Sequence, residues 1–394
     1  MKSHAEYDVI VVGAGPAGST AATALARHGR RVLVLDRAKF PRDKPCGDGI
    51  PPGTVGILHD LGLEAALRAA HFQPIDALRL VSARGRDWRL RFTPRREDSG
   101  FYIARRVEFD DLLFRHAVAC GASFLRANVR APLVENRCVV GVRADVDGVE
   151  RALRARVVIG ADGATSAIAR ALLRDKPPER HRAVAIRAYL DGFQVIPRAV
   201  EFHFGARYAP GYAWVFPLSA TSANVGVIVR TDRFKRRGIA IEALLHEFVE
   251  SPELRARGAA VAALQDVATW QLLLAAPRRV RRAFDGAVLV GDAARLVDAL
   301  TGEGIHNAVL SGVAAGESVE RALAANDVSY ASLRTYEDRI EHELGASIRR
   351  SYRWQKYVAA FPPVLEALFI GAGMFRGRVT RWLDRTSTDY RVAQ

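Results

Sequence analysis

The stretch from Tyr7 to Arg37, YDVIVVGAGPAGSTAATALARHGRRVLVLDR, constrains the fold more than any other part of the chain. Val9 to Val12 is an unbroken apolar run, as expected of a parallel strand covered on both faces. Gly13, Ala14, Gly15, Pro16, Ala17 and Gly18 follow at once. Then come an alanine-rich segment of helical composition to His28, a stop at Gly29, and a second apolar strand from Val32 to Leu35. This is a strand–helix–strand unit with G-x-G-x-x-G at its first turn. The glycines permit a tight turn, close backbone approach to a pyrophosphate and close helix packing, with the phosphate at the helix N-terminus. Asp36, which ends the second strand and precedes Arg37, is placed to accept a ribose hydroxyl. A chance glycine turn does not bring strand, helix and acid in this order.

Two later motifs decide which dinucleotide is expected. VVIGADGATS reads as a buried strand ending in Asp162 and Gly163, with Ser166 three residues on. AVLVGDAARLVDALTGEGI reads as another strand ending in Gly291 and Asp292, followed by Gly302, Gly304 and Ile305. A nicotinamide needs no second strand-end carboxylate so far from the first. The ribityl chain of FAD does, and Asp292 is suited to accept its hydroxyls. A helix opening near Gly304 and Ile305 would point its N-terminal dipole at the pyrimidine edge of the flavin and favour negative charge there on reduction. Helix capping explains either Asp162 or Asp292 alone; the pair, after buried strands and in this order, argues for FAD.

At 394 residues the chain is long enough for two joined domains. With 49% hydrophobic and 26% charged residues it is an ordinary globular sequence. Cys46, Cys120 and Cys138 are too few and scattered for a disulfide framework or a zinc site, which fits a reducing cytoplasm. The opening MKSHAEYD runs into the first strand without a basic and apolar leader, so no signal peptide is expected. The formal charge of +15 admits nucleic acid, an anionic membrane surface or a phosphorylated substrate as partners, or simply an arginine-rich genome. No nucleic-acid-binding signature accompanies it, so nucleic acid ranks last.

Val358 to Phe375 carries a single charge, Glu366, and is broken by Pro362 and Pro363. It is too short to span a bilayer comfortably and reads as a surface-lying or core helix. Together with the positive charge it suggests peripheral docking on an anionic membrane face, at the inner side of the membrane. Ala183 to Val229 has strand character with period-two alternation, Ala155 to Ile159 and Ala287 to Val290 read as buried strands, and helical composition dominates from Glu303 onward.

G-x-G-x-x-G, Asp162–Gly163 and Gly291–Asp292 together resemble the flavoprotein superfamily of aromatic hydroxylases, halogenases and squalene-epoxidase-like enzymes. RRVEFDDLL fits it too, putting Arg106 where that superfamily has a flavin-contacting arginine. Three stretches, FPRDKPCGDG (Phe40 to Gly49), PGYAWVFP (Pro210 to Pro217) and LTGEGI (Leu300 to Ile305), narrow the resemblance to the geranylgeranyl reductase family, especially members acting on menaquinone or other polyprenyl chains. It spans most of residues 7 to 320.

The resemblance implies a Rossmann-like FAD-binding domain from 1–75, 101–180 and 281–335. A substrate-binding domain on a mostly antiparallel sheet would take 76–100 and 181–280, and a helical C-terminal region 336–394. It implies reduction of isoprenoid carbon–carbon double bonds by reduced FAD, with NADPH or a ferredoxin-like iron–sulfur protein as electron donor. Val129 joins the implied cofactor contacts, and Cys46 and Gly47 fall in a loop closing over the flavin. Lys44 is placed to lower the Cys46 thiol's pKa; otherwise Cys46 packs as a small, soft residue. Tyr212, Trp214, Phe216 and Pro217 become part of a wall holding the prenyl chain, where bare alternation would equally describe a packed sheet face. Cys46 and Tyr212 are candidate proton sources, as is flavin itself through a water. His59, His203 and His306 read as structural.

Three positions depart from the superfamily pattern: Ala299 replaces a proline, Arg295 a histidine, and Arg170 falls one place late. They leave FAD expected but bear on subfamily and donor. The rival reading on the same scaffold is an FAD-dependent monooxygenase or epoxidase of a terpenoid or aromatic substrate; a flavin- or lipid-binding protein without turnover is the third.

Overall fold

The structure is a computed structural model that describes residues 6–94, 100–277, 279–360, 366–367, 369–370 and 390–393. The opening apolar run forms the strand Tyr7–Val12, buried from Val9 onward because it lies inside a sheet. Val32–Asp36 pairs with it on one side and Val149–Gly160 on the other, both parallel. Ser123–Arg126 extends the sheet past Val32–Asp36, while Ala287–Leu289 and the short antiparallel strand Ala283–Phe284 extend it beyond Val149–Gly160. The ends of Tyr7–Val12, Val32–Asp36, Val149–Gly160 and Ala287–Leu289 thus converge on one edge, the place where doubly wound sheets bind ligands. An antiparallel pair, Asn128–Glu135 and Cys138–Val146, branches off through Val149–Gly160.

Two helices cover this edge. Pro16–Ala26 begins directly after the glycine turn, with proline at its first position and every residue buried. Ile305–Ala324 packs along it, and glycines allow the close approach: a Cβ on Gly312 would stand 2.3 Å from the Ala17 carbonyl, and one on Gly316 2.7 Å from the Ala24 side chain. The long helix Tyr330–Ala360 closes the outside through Leu333, Tyr336 and Ile340.

The second sheet runs Leu264–Leu273, Arg182–Asp191, Ser222–Arg230, Tyr212–Pro217, Ala199–His203, Ala77–Val81, Asp87–Pro94 and Tyr390–Ala393. It is antiparallel except where Ala199–His203 meets Ala77–Val81. The helix Tyr330–Ala360 accords with the expected helical C-terminus, and the sheet's last member adds a short strand after it. Tyr390–Ala393 pairs with Arg91–Pro94 and covers an edge that would otherwise present unpaired backbone.

Alternation divides this sheet's faces. Ala213, Val215, Val225 and Val227 meet the helix Ile241–Val249 in one core, while Trp214, Phe216 and Ile228 turn to the other face. On Ala199–His203, Val200 and Phe202 share that second face; Glu201 and His203 point away. Glu201, His203 and Glu253 have the spacing of a metal cluster, but Arg79 and Arg257 already pair with these carboxylates, at 2.7 Å or less for Glu201.

The apolar stretch beginning at Val358 is divided. Val358 and Ala359 are buried at the end of the long helix, and Glu366 is bound 2.6 Å from Arg86. Residues 361–365, 368 and 371–375 lie outside the described residues. Among the described residues no helix is long and apolar enough to cross a membrane.

Candidate active site

The glycine turn is built as a cradle. Gly13 has φ +102°, and a Cβ there would stand 2.4 Å from the Ala161 carbonyl; a Cβ on Gly18 would stand 1.8 Å from the Gly13 carbonyl. The first strand, the helix and the Val149–Gly160 strand can meet this closely only through glycine. Asp36 holds the turn from the side, accepting Ala14 N and Ala38 N, each at 2.8 Å. The cleft in front of this cradle measures about 580 Å³. Gly13, Gly15, Pro16, Ala17, Asp36, Arg37, Arg106, Val129, Asp162, Gly163, Gly291 and Asp292 all border it.

The two strand-end acids behave differently. Asp162 accepts from the Ser166 hydroxyl, from Ala167 N at 2.7 Å and from Ile168 N at 3.3 Å, so its carboxylate secures the start of the helix Ala167–Leu173. It caps, and Gly163 supplies the open backbone beside it. Asp292 has no such task and stands 3.1 Å from Lys44 Nζ. These residues fit FAD: a helix N-terminus with a glycine cradle for the pyrophosphate, a strand-end acid for the ribose, and Asp292 facing the cleft where a polyol would lie. Arg170, the arginine one place late, and Arg42, unremarkable in the sequence, also border the cleft; Arg42 Nη2 lies 3.4 Å from the position of a Cβ on Gly15.

A second cavity of about 340 Å³ opens from the same seam. Pro16, Lys44, Pro45, Arg106, Trp270, Asp292 and Ala308 border both spaces, so the two adjoin along this seam. Its wall is aromatic: Phe101, Phe202, Tyr212, Trp214 and Phe216, completed by Ile228, Leu272 and Val297. Trp214 fits because it lies opposite Gly226, where a Cβ would stand 2.2 Å from its ring. The sheet face therefore does not close on itself. It leaves an apolar space beside the cofactor cleft.

Cys46 and Gly47 sit in the loop between the two spaces. A Cβ on Gly47 would press on the Phe216 ring at 2.9 Å, and Asn224 Nδ2 holds the Cys46 carbonyl at 2.7 Å. The expected effect of Lys44 on the thiol is corrected. Lys44 pairs with Asp292, burial pushes the Cys46 thiol up, and the nearest opposing charge is Arg106. Arg106 in turn is held by Asp110, at 2.6 and 2.7 Å, and Arg42 Nη1 lies 2.6 Å from the same carboxylate. Its guanidinium borders both cavities as a fixed charge.

Asp48 lies behind this loop with no exposed surface, accepting from Tyr189 Oη at 3.0 Å and Asn224 Nδ2 at 2.7 Å, while its other oxygen has no partner. Burial raises its carboxyl to about 6 against these hydrogen bonds. Asn224 also accepts from Trp214 Nε1 at 2.9 Å, so one amide ties the aromatic wall, the Cys46 loop and Asp48 together.

Gly302, Gly304 and Ile305 border the apolar cavity, with Gly304 as N-cap of the helix Ile305–Ala324. Tyr212 donates its hydroxyl to the Thr301 carbonyl. Gly18 and Pro217 border neither cavity: Gly18 packs beneath the turn, and Pro217 ends its strand in the core. Of the three histidines read as structural, His203 is buried against Phe248 and His306 lies 3.4 Å from the Thr54 hydroxyl. Arg295 pairs with Asp175, and the Ala299 carbonyl accepts from Gln355. Missed in the sequence were Phe101, Phe202, Trp270, Leu272 and the Asp48–Asn224 network. For the strand residues the only sequence signal was alternation, which does not tell cavity from core; Asp48 lay in the quoted Phe40 to Gly49 stretch without a sign of its partner.

A family described as FAD binding domain matches residues 6–341. The chain is 37% identical over 372 residues to digeranylgeranylglycerophospholipid reductase 1 of Methanopyrus kandleri, covering 92% of each. It is 36% identical over 324 residues to menaquinone reductase of Mycobacterium tuberculosis, covering 79% of this chain and 76% of that one. Among solved structures it is similar to a geranylgeranyl bacteriochlorophyll reductase-like protein from Thermoplasma acidophilum, with a TM-score of 0.79, 28% identity, and 90% and 87% of the two chains covered. With that match across the whole cofactor cleft and the apolar cavity beside it, this chain belongs to the geranylgeranyl reductase family of FAD-dependent oxidoreductases.

Proposed function

We propose that this protein reduces carbon–carbon double bonds of a polyprenyl chain. The observation that carries the proposal is the adjacency of the two spaces: an aromatic-walled cavity, apolar enough for an isoprenoid, shares its border with the cleft that fits FAD. Aromatic faces offer a polyene area without demanding hydrogen bonds. Bound FAD supplies the hydride once it has been reduced.

The chain's own residues do the rest. Tyr212, Trp214 and Phe216 hold the alkene segment, and the Cys46–Gly47 loop, close to Phe216 because Gly47 has no Cβ, separates the chain from solvent. Arg106 and Lys44 keep positive charge at the seam, where negative charge grows on the cofactor during reduction. The names of the relatives, reductases of a digeranylgeranylglycerophospholipid and of menaquinone, support a prenyl lipid as the substrate class.

A lipid substrate agrees with peripheral contact at an anionic membrane surface. At the end of the long helix, Trp354 and Tyr357 are exposed beside the exposed Arg350, Arg353 and Lys356, a pairing suited to a lipid headgroup layer.

The deciding experiment is mass spectrometry of menaquinone and of a geranylgeranyl lipid after incubation with the FAD-loaded protein. One set is chemically reduced without oxygen; others receive NADPH or a reduced ferredoxin-like protein, with and without air. Gain of two hydrogens under anaerobic conditions supports the reductase, and the productive arm identifies the electron donor. Gain of one oxygen, only in air, would move the chain to the monooxygenases.

A further inference from the structure

The apolar cavity contains a carboxyl group that the reading above does not use. Glu303 lies in the loop between Tyr212 and Asp292. A Cβ on its neighbour Gly302 would stand 3.5 Å from Tyr212 Oη, and one on Gly304 3.6 Å from Asp292 Oδ1. The loop therefore bridges the aromatic wall and the cofactor cleft, and Glu303 borders the cavity at the middle of the bridge.

It is held there. Thr301 Oγ1 accepts from Glu303 N at 3.2 Å, Asp298 N donates to its carbonyl at 2.7 Å, and His306 N donates to its Oε1 at 2.6 Å. Asp292 has Lys44 as a partner; Glu303 has no cationic partner among the described residues. The groups around it are Asp298 on its own loop, the Asp292–Lys44 pair from the turn after Ala287–Leu289, Tyr212 from the sheet and His306 from the helix, with Cys46 bordering the same cavity. Burial pushes the Glu303 carboxyl up to about 7 against the pull of the His306 N–H, and Asp298 and Asp292 add to the rise. Cys46 and Tyr212, the other acids at the cavity, are both shifted upward by burial from values already well above neutral.

We propose that Glu303 is the proton donor of the reduction, placed between the aromatic wall and the cofactor to protonate one alkene carbon. The inference rests on the reductase reading above. The alkene's π pair forms one C–H bond with the proton leaving Glu303. The other carbon gains its C–H bond from the hydride that reduced FAD supplies, leaving the cofactor oxidised by two electrons. Glu303 is left as a carboxylate and recovers a proton from solvent, while the external electron donor reduces FAD again.

The test compares wild type with Glu303→Gln and Glu303→Asp, all FAD-loaded. Infrared difference titration is run first, without substrate. Wild type should show a protonated-carboxyl band lost with a midpoint near pH 7, absent from Glu303→Gln. Single-turnover reduction then follows, anaerobically, on whichever of menaquinone or a geranylgeranyl lipid the wild type reduces. Glu303→Gln, with flavin content and substrate affinity retained, should slow by about 100-fold or more, with Glu303→Asp partly restored. The wild-type rate should fall as pH rises through about 7, and the Glu303→Gln rate should lose that step. Wild type that reduces substrate while Glu303→Gln keeps pace overturns the inference alone, as does a carboxyl band unchanged in Glu303→Gln. Wild type that reduces neither lipid overturns the reductase reading and the inference with it.

Discussion

The cofactor cleft and the apolar cavity share a border, yet they are built in opposite ways. The cleft is made of backbone: glycines where no Cβ fits, a helix N-terminus and strand-end acids. The cavity is made mostly of side chains, from five strands of the second sheet together with Phe101 and Val297, most of them spaced by alternation. A backbone site tolerates almost no substitution and announces itself as a motif. A side-chain site can change its shape one residue at a time, which suits a scaffold whose relatives carry the names of different prenyl substrates.

The sharpest way to break this contrast is at Gly13. Gly13→Ala must hold an alanine at φ +102° with its Cβ against the Ala161 carbonyl. Strain of about 1–3 kcal/mol, added to the overlap, should weaken FAD binding by roughly 100-fold. The check is flavin retained through purification and its titrated affinity, with apolar-probe binding to the cavity preserved. If both sites fail together, the two regions are not separable.

Trp214→Ala should do the reverse. Removing the indole loses an aromatic contact and the Nε1 bond to Asn224, and the prenyl substrate should bind about 30-fold more weakly, roughly 2 kcal/mol, with flavin content unchanged. Substrate KM against flavin occupancy separates the effects.

Asp48 tests the seam. Its folded carboxyl lies near 6, above the ordinary carboxylate value, so the folded state binds more protons than the unfolded one between those values. Stability should accordingly fall as pH rises from about 4 to beyond 6, by about 3 kcal/mol. Asp48→Asn should flatten that slope in denaturant titrations across this range; an unchanged slope would show that Asp48 does not titrate there.

The smallest effect is expected at Lys44. Lys44→Met frees Asp292 and removes one cation from the seam, worth about 1 kcal/mol. The bound flavin's reduction potential should become more negative by about 20 mV, measured by equilibration with redox dyes. A larger shift would mean that Lys44, rather than Arg106, sets the charge at the seam.

Legibility followed the same division. G-x-G-x-x-G, Asp36, Asp162–Gly163 and Gly291–Asp292 were readable because each sits at a strand end in an order that only a dinucleotide fold requires. Tyr212, Trp214 and Phe216 were readable only as one face of a strand. Whether that face packs a core or borders a cavity depends on what surrounds it, including Gly226 and Phe202 on the paired strands and Phe101 from a distant segment. Lys44 was assigned to Cys46 on sequence proximity, but its ammonium reaches Asp292, 248 residues away. Asp48 lay inside a quoted stretch, but nothing in the sequence paired it with Asn224, 176 residues away.

By itself the sequence determined the parallel sheet, the glycine cradle, the cofactor class and the strand that carries the aromatic wall, because local sterics and hydrophobic periodicity act over a few residues. Only the tertiary structure decided that Asp162 caps a helix while Asp292 meets Lys44 at the cleft, that Arg106 rather than Lys44 adjoins Cys46, and that Glu303 borders the cavity with no cationic partner among the described residues. Those outcomes depend on burial and on charges brought together from far apart in the chain.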